Sequence, residues 1–143
     1  QLSGIYQEKI IALLFSEKYE LAYQETVKMN DINYDMHRPQ IDYFFYYNFL
    51  KQKKYLDAYA ELTNCINKLK KSEYNMNLNY NDITSVNKFT LDIYKIYFLR
   101  AELRLLIGDS NGACEDYRYV LSGLSSSKED NEKANFLIKE NCN

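Results

Sequence analysis

One short pattern occurs three times in the chain, and each copy ends in an alanine between two stretches of helical periodicity. The copies are Glu17-Lys18-Tyr19-Glu20-Leu21-Ala22, Lys53-Lys54-Tyr55-Leu56-Asp57-Ala58 and Gly108-Asp109-Ser110-Asn111-Gly112-Ala113. The first two alanines are 58 − 22 = 36 residues apart, and the next interval is 113 − 58 = 55. Repeated helix–turn–helix units constrain a chain to stack, because a lone hairpin cannot bury its apolar face. The longer interval contains Asn75, Asn77, Asn79, Asn81 and Asn87, and reads as an irregular insertion over 70–88.

The periodicity between these turns is helical. Tyr6, Ile10, Leu13 and Leu14 fall on one face. A second helix opens at Ala22, with Tyr23 and Val27 one turn apart, and a polar loop covers 30–38. Pro39 suits the first position of a helix, where its missing N–H costs nothing. The run from Tyr43 to Leu50 is apolar nearly all round and predicts a helix flanked by others. Further helices are expected over Tyr55–Leu69, Phe89–Ile107 and Asn111–Leu124. Ser126 and Glu129 signal the start of a last one. Only four Gly and one Pro in 143 residues favour this all-α reading over a turn-rich β fold.

Little in the sequence points to chemistry. The net charge of −2 gives no electrostatic reason to expect nucleic acid. Phosphate loops, HExxH, GxSxG and calcium-loop patterns are absent. Cys65, Cys114 and Cys142 form no CxxC pair and His37 is the one histidine, so neither a metal nor a cofactor is expected. Lys51, Lys53 and Lys54, and then Lys68, Lys70 and Lys71, sit at helix ends, where the helix dipole accounts for them. The longest apolar run, Ile10–Phe15, is too short for a transmembrane segment. The chain begins at Gln1 rather than Met, which leaves an exported (periplasmic or secreted) and a cytoplasmic location both open.

The third copy carries a fuller pattern: Arg100-Ala101, Gly108-Asp109, Gly112-Ala113 and Asp116-Tyr117. The second adds Phe45, Tyr46, Phe49, Tyr55, Ala58, Leu62 and Cys65. In these residues the chain resembles the tetratricopeptide repeat family, whose unit is a helix–turn–helix of about 34 residues. The resemblance implies one TPR-like domain over 1–143, a short right-handed α-solenoid of about three antiparallel helix pairs. The repeats would span about 4–36, 39–71 and 94–125, with a capping helix at 127–142. Ala22, Ala58 and Ala113 would be the small residues where paired helices cross. Arg100 and Asp116 fall on facing helices and are expected to form a structural ion pair.

Cys114 and Cys142 look like the ending of some exported bacterial repeat proteins, where two cysteines close the last helix onto the stack. Two readings stay open: a disulfide, or two reduced thiols in apolar contact.

The family's concave face is lined by the first helix of each pair. The resemblance carries this over to Gln7, Ile11 and Leu14; to Tyr43, Tyr47 and Lys51; and to Phe98, Glu102 and Leu105. Tyr43, Tyr47, Lys51, Phe98 and Glu102 are the expected partner-binding residues. The implied function is a non-enzymatic module or scaffold that takes a peptide or partner helix. A glycan or small molecule in an aromatic-lined pocket is one alternative, and a purely structural segment of a longer solenoid is another. An enzyme would need perturbed carboxylates, such as Glu102 beside Arg100 or Arg104, in a pocket.

Overall fold

The computed structural model describes residues 2–32, 39–71, 92–123 and 127–142. Seven α-helices and no strand occur among them: α1 (Leu2–Phe15), α2 (Tyr19–Ile32), α3 (Pro39–Lys51), α4 (Tyr55–Lys71), α5 (Ile93–Leu106), α6 (Ser110–Leu121) and α7 (Lys128–Asn141). Most of the insertion expected over 70–88, and 33–38 of the expected loop with His37, lie outside the described residues; Lys70 and Lys71 complete α4, and Asn30–Ile32, expected in the loop, complete α2.

The helices group into two compact units, Gln1–Thr90 and Leu91–Asn143. In the first, α1 packs on α2, α2 on α3 and α3 on α4. In the second, α5 packs on α6, and α7 lies on α6 with an edge on α5.

The three repeated turns are one backbone structure. In the first, Glu17 N–H donates to Leu14 O at 3.1 Å and Lys18 N–H to Leu13 O at 2.9 Å. In the second, Lys53 donates to Leu50 O at 3.0 Å and Lys54 to Phe49 O at 2.8 Å. In the third, Gly108 donates to Leu105 O at 3.2 Å and Asp109 to Arg104 O at 2.7 Å. This is the Schellman arrangement, which satisfies orphan carbonyls at a helix end through one left-handed residue. That residue is Glu17 (φ 60°), Lys53 (φ 62°) and Gly108 (φ 88°). Three residues separate the packed consecutive helices at each of these turns.

Ala22, Ala58 and Ala113 are all fully buried. Ala22 belongs to a cluster with Ile10, Leu14, Met29, Ile41 and Phe44. Burying a side chain such as Phe44 contributes about 1.5–3 kcal/mol. On α4 the core face is Ala58, Leu62, Cys65, Ile66 and Leu69. The second unit has its own core of Ile96, Ala101, Leu103, Tyr117 and Val120.

Buried polar groups pin the helices together. Asn48, 1% exposed, donates from Nδ2 to Tyr19 O at 2.7 Å and accepts from Gln52, tying α3 to the start of α2. Thr26 returns its hydroxyl to Ala22 O at 2.7 Å. Lys68, expected only to serve the dipole, reaches across the hairpin to Asp42 at 2.9 Å.

In the second unit Arg100 grips Asp116 through Nε and Nη2, both at 2.9 Å, while Arg104 Nη1 lies 3.2 Å from the same carboxylate. Arg104 also donates to Gly112 O at 3.0 Å, and Asp109 caps α6 by accepting from Gly112 N–H at 2.9 Å. A Cβ on Gly112 would run into the Asp109 carboxylate and the Arg104 stem.

Several helix starts differ from expectation: α2 opens at Tyr19 rather than Ala22, and α6 at Ser110 rather than Asn111. The fifth helix begins at Ile93 rather than Phe89, because Asp92 is in extended backbone and accepts from Tyr94 N–H at 3.1 Å, as an N-cap does. The last helix is capped by Ser127, not Ser126: its hydroxyl accepts from Asp130 N–H at 3.0 Å.

Candidate functional site

The aromatic helix α3 divides its rings among three faces. Phe44 enters the core. Phe45 and Phe49 meet Tyr23 of α2, with ring centroids 5.4 and 6.0 Å apart. Tyr43 and Tyr47 occupy the remaining face, 6.4 Å from each other, and Tyr43 also meets Tyr46 at 5.3 Å.

That third face forms one wall of a groove of about 170 Å³. The other wall is Ile11, Leu14 and Phe15 of α1, and Phe44 joins Tyr43 and Tyr47 on the α3 side. Both walls come from the first helix of a hairpin. Ile11, Leu14, Tyr43 and Tyr47 are thus brought together. Phe15 and Phe44 join them unanticipated, although Phe15 stands four residues after Ile11 on the same helical face.

The floor continues into the core, since Leu14 and Phe44 are 7% and 1% exposed, whereas Phe15 at the rim is 77% exposed. Desolvation pushes the Tyr43 phenol up to about 12, helped by its neighbours Tyr47 and Cys65. Lys51 is exposed and places its Nζ 5.3 Å from the Tyr47 ring centre. The groove is therefore apolar, with a cation at one edge. None of its six lining side chains is a carboxylate, an imidazole or a thiol.

The other expected residues fall elsewhere. Gln7 is 1% exposed and is not part of the lining. Phe98 is 3% exposed, too deep to serve as an open anchor. Its ring packs edge-on to Tyr117 at 5.6 Å, with Lys95 and Lys133 over it at 5.2 and 5.6 Å. Glu102 meets Lys133 of α7 at 3.0 Å, rather than Arg100 or Arg104. Phe98 and Glu102 belong to the second unit, Tyr43 and Tyr47 to the first. The resemblance placed Phe98 on an open face and could not show that Lys133 of a later helix lies over its ring.

Cys114 and Cys142 are joined in a disulfide with their Cα atoms 6.0 Å apart. Cys65 is fully buried; burial raises its thiol pKa, and its Sγ lies 3.5 Å from Pro39 O. Among the described residues, no helix is long and apolar enough to cross a membrane, and no group of three or more His, Cys, Asp or Glu could hold a metal ion. Searches against protein-family models, curated proteins and solved structures find no match to the chain.

Proposed function

We propose that the chain is a non-enzymatic interaction module of the tetratricopeptide kind, whose α1–α3 groove receives an apolar side chain of a peptide or partner helix. The observation that carries this reading is the groove itself, which lies between the first helices of two hairpins. Its volume of about 170 Å³ is below the roughly 300–1,000 Å³ of small-molecule sites, and its lining lacks the convergent polar groups that fix a glycan. A single large aliphatic or aromatic anchor matches it better. In favour of the structural-segment reading, Ile5 on α1 and Phe136 on α7 are 64% and 61% exposed, as on helices that another element could cover.

The test is to pan a random peptide library against the wild-type chain and against Ile11→Glu and Tyr47→Glu, each confirmed folded by circular dichroism. The expected result is enrichment of sequences sharing one large apolar residue, lost with both variants. Equal enrichment on all three proteins, or none on the wild type, would overturn the reading.

A further inference from the structure

Helix α7 is bound differently from the other helices of its unit. Whereas α5 and α6 each bury a row of apolar residues, α7 buries only Ala134 and the carboxylate-bearing Asp130. Its other apolar contacts come from Leu137 and Ile138, which are only half-buried, and its remaining attachments are polar or covalent. Lys95 pairs with Asp130 at 3.0 Å near its start, and Lys133 pairs with Glu102 at 3.0 Å in the middle. The Cys114–Cys142 bond fixes its end to α6. Both lysine pairs are partly exposed, and such pairs hold weakly. A 14-residue helix is also marginal once detached.

We infer that the Cys114–Cys142 disulfide is a redox latch: reduction by a dithiol releases α7 and uncovers the Phe98 face of α5, while α5 and α6 stay folded. Cys142 is the more accessible sulfur, since Cys114 is only 4% exposed. A thiolate of the dithiol attacks Cys142 Sγ, breaking the S–S bond, and Cys114 leaves as a thiolate that takes up a proton. The second thiol of the reductant then attacks the mixed disulfide and expels Cys142, which is protonated in turn. The reductant ends as its own disulfide, having supplied two electrons and two protons.

Sequence register gives the uncovered face a meaning. Phe98 and Glu102 follow Tyr43 and Tyr47 by 98 − 43 = 55 and 102 − 47 = 55 residues, the interval that separates Ala58 from Ala113. Lys133 of α7 thus sits on the counterparts of two groove-side tyrosines. The reduced protein presents a second such face. That consequence rests on the interaction-module reading; the release of α7 does not.

Amide hydrogen exchange, read by mass spectrometry on the full chain, tests the release. It would compare the oxidised protein, the dithiothreitol-reduced protein and Cys114→Ser/Cys142→Ser. The expected result is exchange across 128–141 faster on the order of 100-fold in the two unlinked forms, with 93–121 unchanged. Unchanged α7 protection in both would overturn the latch. So would loss of protection across α5 and α6 together, because the bond would then be holding the whole unit. Failure of the peptide-binding test alone would leave this readout standing.

Discussion

Glu17 and Lys53 occupy backbone that ordinary side chains avoid. A left-handed conformation costs a non-glycine residue roughly 1–2 kcal/mol, and Gly108 adopts it in the third turn without that cost. Lys53→Gly is therefore expected to stabilise the first unit by about 0.5–1 kcal/mol, the relief being partly offset by a more flexible unfolded chain. Gly108→Ala should cost the second unit about 1 kcal/mol. Urea titrations of the two variants beside wild type check both signs.

Asp116 carries more, being 2% exposed and gripped by two arginines. Its replacement by Ala leaves two guanidinium groups, 13% and 14% exposed, without their shared carboxylate, at an expected cost of about 3–5 kcal/mol. Tyr43 sets a pH limit. Its phenol is held neutral to about 12 against the ordinary 10. The folded state thus keeps its proton where the unfolded state loses it, and the stability present below pH 10 declines between pH 10 and 12. Tyr43→Phe should flatten that decline in a thermal-melting series.

At the scale of elements, the turns were legible in the sequence because their chemistry is local. A buried alanine five residues beyond the left-handed position, which holds Gly or a tolerant polar residue, marks each one. The α1–α3 groove was half legible, since helical spacing places Ile11 with Leu14 and Tyr43 with Tyr47. Pairings across hairpins were not. Asp42 and Lys68 are 26 residues apart, and spacing alone could not choose between that pair and a lysine at a helix end. The covering of Phe98 by α7 is likewise a choice of neighbour, made in three dimensions. The start of α5 was misplaced because apolar Phe89 and Leu91 extend the pattern, whereas Asp92 as N-cap decides the boundary. The disulfide is open to direct counting. A thiol reagent should find no reactive thiol in the native protein, one (Cys65) after denaturation alone, and all three cysteines after denaturation with reduction.

At the scale of the molecule, the two units have separate cores and separate means of closure. The first relies on apolar burial and the Asn48 and Asp42 bridges, the second on the two-arginine clamp and a disulfide. A chain ending at Thr90 contains every groove residue and the core beneath it. It is expected to fold and to retain the groove, shown by unchanged NMR chemical shifts for Ile11, Tyr43 and Tyr47. Large shifts across α1 and α3 would mean that the first unit depends on the second.

The buried alanine of the first hairpin has a consequence beyond tight packing. Ala22 shares its cluster with Leu14 and Phe44, the two residues at the floor of the groove. A side chain that grew at position 22 would press on that floor from behind and make the opening shallower. If the groove takes an anchor as proposed, the bulk it accepts is set in part at a residue that lies behind its floor, so two chains with identical groove walls would differ in the side chains they admit.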